Sequence, residues 1–87
     1  MKVISKAIEV ICSFDKSGKA HPLRFKIENE DGIYKVIKIE KVVDTKFERF
    51  CGNNAKVFTC QSNIDGVMKI YEMKFILETS QWMLFKI

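Results

Sequence analysis

The chain has 87 residues, enough for one domain that buries roughly 60–65% of its unfolded surface and too few for a deep cleft between two domains. Hydrophobic residues make up 47% of it, and seven Phe, two Tyr and one Trp supply the bulk of a real core, which excludes both disorder and a stapled mini-protein. The 15 Lys and Arg against 11 Asp and Glu give a net charge of +4, a mild bias toward an anionic partner with no charge block to concentrate it.

The longest apolar segment, Val67 to Leu77, carries Lys69, Glu72 and Lys74 and falls far short of the about 20 apolar residues of a membrane span, so no membrane partner is expected. Lys6 and Glu9 interrupt the N-terminal apolar residues where a secretory signal needs an unbroken run. Cys12, Cys51 and Cys60 are odd in number and irregularly spaced, which suits a reducing, cytoplasmic location better than a disulfide framework.

From Val3 to Phe14, the apolar residues Ile8, Val10, Cys12 and Phe14 recur with period two, which predicts a first strand. Ile4, Ala7, Ile8 and Ile11 also fit helical spacing, but the β-branched content favours the strand. Asp15-Lys16-Ser17-Gly18-Lys19 reads as a turn. His21 and Pro22 follow as loop residues, and then Leu23, Phe25 and Ile27 alternate with Arg24, Lys26 and Glu28, which predicts a second strand with one face in and one out. Asn29-Glu30-Asp31-Gly32 makes the next reversal. A long third strand runs from Ile33 to Val43. Ile33, Ile37, Ile39 and Val43 lie with Lys35 and Lys41 on one parity, and Tyr34, Val36 and Val42 lie with Lys38 and Glu40 on the other. Apolar groups on both parities imply a curled strand, as in a sheet bent into a barrel.

Asp44 to Asn54 is less regular. Thr45 caps a predicted helical turn near 45–50 with Phe47 and Phe50 on one side, and Gly52 and Asn53 end it in the left-handed region. A hairpin follows over Lys56 to Phe75, with Val57 to Cys60 in one arm, a turn at Asn63-Ile64-Asp65-Gly66, and Val67 to Leu77 as the second arm. Helical spacing competes in that second arm, and the Asp-Gly turn before it favours a strand. Glu78 to Gln81 form a polar turn before a terminal strand, Trp82 to Ile87. The expected fold is a single all-β domain, residues 1–87, formed as a small antiparallel barrel-like or strongly curled sheet of five or six strands. Phe58, Cys60, Tyr71, Met73 and Phe75 are expected to be the floor of its core.

Pro22-Leu23, Asp31-Gly32, Tyr34 to Ile39, Cys51-Gly52, Lys56-Val57-Phe58-Thr59-Cys60 and Trp82-Met83-Leu84, in that order, carry a resemblance over nearly the whole chain. The sequence resembles a family of small uncharacterised proteins of Firmicutes that show a Cys-Gly segment, a basic-aromatic-Thr-Cys strand and a terminal Trp strand. That resemblance implies an all-β fold and adds little chemistry, since no activity is assigned to the family.

No phosphate loop, dinucleotide fingerprint or nucleophile elbow is present. His21 has no neighbouring motif that would make it an acid–base group. Cys12, Cys51, Cys60 and His21 lack the close thiolate pair of a structural zinc site. No enzyme activity, metal or cofactor is therefore expected. A nucleic-acid partner, or a nucleic-acid-processing assembly, is suggested by Arg24, Lys26, Lys35, Lys41 and Arg49, since small barrels combine basic grooves with aromatic platforms. Strand parity sets Lys38 apart from Lys35 and Lys41. The alternative is a protein partner or homodimer held through apolar residues in excess of what one small core absorbs.

Overall fold

The computed structural model, which describes all residues from Met1 to Ile87, contains antiparallel strands and no helix. The strands are β1 (Val3–Phe14), β2 (Ala20–Glu28), β3 (Tyr34–Lys38), β4 (Lys41–Phe50), β5 (Asn53–Ile64), β6 (Val67–Ile76) and β7 (Gln81–Lys86). They lie in the order β3-β2-β1-β7-β6-β5-β4, in which every neighbour is sequential except β1 beside β7. The second arm of the hairpin is thus a strand, and the domain is the curled, barrel-like all-β sheet that the patterning predicts.

Two passes of chain produce the curl by changing partners midway. β3 and β4 form one such pass: Ile39 N–H donates to the Leu23 carbonyl on β2 at 2.9 Å, and Glu40 N–H donates to the Gln61 carbonyl on β5 at 3.2 Å. β1 forms the other, pairing with β7 through Val3 to Ile8 and with β2 through Glu9 to Phe14. With β3 and β4 counted as one pass, the sheet has one more strand than passes, which reconciles the seven strands with the expected five or six.

The enclosed face carries Phe25, Ile37, Ile39, Phe58, Cys60, Tyr71, Met73, Phe75, Trp82 and Leu84. β5 and β6 contribute the floor, and Trp82 packs on Phe75 and Phe58 with ring centroids 4.7 and 5.3 Å away. Two hydroxyls lie inside this apolar set. Ser62 and Tyr71 are both fully buried; their oxygens are 2.6 Å apart, and Ser62 Oγ donates to the Lys38 carbonyl at 2.7 Å.

Three sequence expectations change. Thr45 to Phe50 belong to β4 and not to a helical turn, because each finds a partner between Asn53 and Phe58 on β5. A single helical turn fixes several residues for one hydrogen bond, whereas Val42, Val43 and Thr45 suit a ladder already templated by β5. Second, the left-handed residues there are Cys51 (φ 51°) and Gly52 (φ 80°), which form a two-residue hairpin turn, so Asn53 opens β5. Asp65 (φ 54°) and Gly66 (φ 81°) make the same kind of turn between β5 and β6. Third, His21 and Pro22 lie within β2, and Leu23 is 46% exposed. Pro22 pairs with Cys12 and Arg24 with Ile11, which leaves Leu23 as the extra residue of a bulge, turned out of the alternation.

The core hydroxyl pair makes an ordered stability prediction. Ser62→Ala strips the Lys38 carbonyl and the Tyr71 hydroxyl of their partner together, and is expected to cost about 1–3 kcal/mol. Tyr71→Phe leaves the Ser62 bond to Lys38 in place and should cost less, about 1 kcal/mol. Urea midpoints at unchanged m-value measure both, and a larger loss for Tyr71→Phe would refute the assignment.

Candidate functional site

The outward face of β1, β2 and β3 is built in rows fixed by their register. One row is Ile11, Arg24 and Lys38, and the next is Glu9, Lys26 and Val36. Tyr34 stands opposite Glu28 in the row beyond. Ile11, Val36 and Tyr34 are 60%, 60% and 59% exposed, so the face mixes cations with apolar and aromatic surface.

Arg24 and Lys38 are closer than a generic cross-strand pair. Because Ile39 directs its N–H to β2, the preceding Lys38 directs its carbonyl the other way, to Ser62 on β5. Arg24 and Lys38 are therefore a non-hydrogen-bonded pair, the type with Cα atoms only about 4.5 Å apart and side chains in closest reach. Like charges so placed repel. Neither side chain has a carboxylate within salt-bridge distance, whereas Lys26 sits 3.4 Å from Glu9 and 4.6 Å above the Tyr34 ring centroid. A shallow depression of about 420 Å³ lies over Ile11, Arg24, Lys26 and Val36. Two unneutralised cations, with an aromatic ring two rows further along the same face, form a surface for an anion with planar groups attached.

The five basic residues singled out from the sequence are not one patch. Arg24 and Lys26 share this face. Lys35 lies on the opposite parity of β3 and pairs with Asp65 in the β5–β6 turn. Lys41 begins β4 across from Gln61. Arg49 donates to the Gly52 carbonyl at 3.0 Å and so braces its own hairpin turn. Lys38 is the member that parity counting missed. The Asn29–Gly32 turn held the signal: once Glu28 is set opposite Tyr34, counting back along both strands puts Arg24 opposite Lys38.

The remaining reactive groups are dispersed. His21 Nε2 is 3.1 Å from Asp15 Oδ2 on the exposed rim of a cleft of about 520 Å³ between β2 and β4. Asp15 Oδ1 also accepts from the Ser17 hydroxyl at 2.7 Å and from the Ser17 and Lys19 N–H groups at 3.0 Å. Led by the Ser17 hydroxyl, and then by His21 and the Lys19 amide, these bonds hold the Asp15 carboxyl well below the usual carboxylate range. Cys60 is fully buried in the core, and burial pushes its thiol up to about 12. Burial also raises Cys12, while Cys51 is exposed at its turn. No three His, Cys, Asp or Glu side chains are grouped to hold a metal ion. No protein-family model, curated protein or solved structure matches the chain.

Two measurements check these environments. Under native conditions iodoacetamide is expected to label Cys51 first, Cys12 more slowly and Cys60 only on unfolding; peptide mass spectrometry showing Cys60 labelled as fast as Cys51 would contradict its burial. Asp15 titrates lower in the folded than in the unfolded chain, so its contribution is complete above the ordinary aspartate range and is lost as pH falls through the lower folded value. The stability difference between wild type and Asp15→Asn should therefore shrink on going from neutral to strongly acid pH, read by denaturant titration at each pH.

Proposed function

We propose that the protein is a small non-enzymatic binding module that holds single-stranded nucleic acid on the outward face of β1, β2 and β3, alone or within a nucleic-acid-processing assembly. The observation that carries this reading is the unneutralised pair Arg24 and Lys38, set at close cross-strand spacing where mutual repulsion is relieved by a bound phosphate. Lys26 adds a third cation, and Tyr34, Val36 and Ile11 offer bases a surface to lie on. A flat, partly apolar face favours unpaired strands over a duplex, whose bases are already stacked on each other. Three free thiols fit a reducing, cytoplasmic setting, and no helix is long and apolar enough to cross a membrane.

Fluorescence anisotropy with labelled single-stranded DNA and RNA tests this reading. Affinity is expected to fall as salt rises, and Arg24→Ala and Lys38→Ala should each weaken binding and lower the salt slope by about 1. Tyr34→Ala should cost about 1–3 kcal/mol of binding by removing a stacking ring. Lys35→Ala, on the other parity and paired with Asp65, is the control expected to bind as wild type. Absence of binding at low salt, or binding indifferent to salt, would dismiss the reading.

A further inference from the structure

β4 closes the strand order, and its outer edge has no partner strand. It is ten residues long, and Phe47 at 71% is the most exposed of the large hydrophobic side chains. An unpaired edge of this length is a template for another strand, and most proteins shield such an edge or use it.

The backbone groups that face the edge follow from the ladder. Asn54 N–H donates to the Glu78 carboxylate and the Asn54 carbonyl accepts from Leu77 N–H, both on the β6 side. Asn54 thus turns its backbone groups away from β4, and its cross-strand partner Arg49 turns its own away from β5. The register runs without a bulge from Asp44 to Phe50, so Thr45, Phe47 and Arg49 all present N–H and C=O to the open edge.

We propose that this edge pairs with the same edge of a second copy of the chain, antiparallel, with the two-fold axis passing through Phe47. The proposal is independent of the polyanion face, which lies on other strands. About that axis Phe47 meets Phe47, Thr45 and Arg49 exchange backbone hydrogen bonds, and Lys46 of each copy stands opposite Glu48 of the other. Lys46 has no ion-pair partner within its own chain, and Glu48 is 32% exposed beside the lysine it already serves, Lys74.

Other registers fit worse. A one-residue shift sets Lys46 against Lys46 and Asp44 against Glu48, or Glu48 against Glu48. A two-residue shift toward Arg49 sets Arg49 against Arg49. A two-residue shift toward Thr45 gains an Asp44–Lys46 pair, but it carries the second copy along the edge toward Lys41, where Lys19 to Pro22 of the same chain stand across the cleft. Of β4, Lys41 to Thr45 line that cleft and Lys46 to Phe50 lie beyond it. The apolar-surface alternative read from the sequence thus acquires one occupant and one register.

Sedimentation over a range of concentrations tests the association. Wild type is expected to pass from 10.1 kDa toward twice that mass as concentration rises into the millimolar range. Lys46→Glu, which opposes carboxylates across the axis, should return it to one chain. Thr45→Pro should do the same, since it removes an edge-facing N–H and spares the β5 ladder. Circular dichroism confirms that both variants stay folded. Under oxidation, in a Cys51→Ser background, Phe47→Cys should form a 47–47 crosslink, while Val43→Cys should not. A wild-type monomer throughout, or a dimer unmoved by Lys46→Glu and Thr45→Pro, would overturn the proposal.

Discussion

A single carbonyl at the margin of the core governs the shape of this domain. At Lys38 the chain is about to leave β2 for β5, and its carbonyl faces the interior with no strand amide to receive. Left unpaired there, it would cost on the order of 1–3 kcal/mol. Ser62 supplies the missing donor from β5, and Tyr71 from β6 satisfies Ser62 in turn. Three strands are thereby tied at the point where the sheet turns back on itself. No apolar residue at 62 or 71 could do this, which is why hydroxyls occupy the most enclosed part of an otherwise apolar core.

The same curl divides the outer surface into two unlike halves. Over β5 and β6, Ala55, Val57 and Ile76 are buried although they point away from the core. Phe50 and Phe85 meet edge to face there at 5.5 Å, and the Lys74 ammonium lies 4.2 and 3.8 Å from their ring centroids while pairing with Glu48. A buried ammonium is costly in isolation, but two aromatic faces and a carboxylate offset its desolvation. Over β1, β2 and β3 no such lid exists, and Arg24 and Lys38 remain without a carboxylate partner. The half that is closed carries stability, and the half that is open is where a partner has room.

Strand positions were largely legible in the sequence, since the alternation around Phe25 and along Phe58 to Phe75 marks the buried face directly. Which way individual side chains point was legible only between bulges. Leu23 on β2, Val43 on β4 and Phe85 on β7 are each the extra residue where the register slips, and past each of them a count by twos gives the wrong face. Phe85 shows the effect most clearly, because its bulge aims the ring outward onto Phe50 and Lys74 and so creates a second cluster that no periodicity announces. The basic face was half legible for a related reason. Parity within one strand separates Lys38 from Lys35, but only cross-strand register brings Lys38 to Arg24.

The one non-sequential neighbour in the sheet, β1 against β7, has a consequence for how the chain is made. Val3 pairs with Lys86, and Lys2 and Ile87 exchange both backbone hydrogen bonds, so β1 cannot complete its pairing until β7 has been made. Until then the N-terminal half of β1 has no partner, and neither does the outer edge of β6 that β7 will cover. Hairpins such as β5–β6 can form locally during synthesis, but closure of the sheet needs β1 and β7 together, and the slow step of folding is expected to be the docking of these two sequence-distant strands.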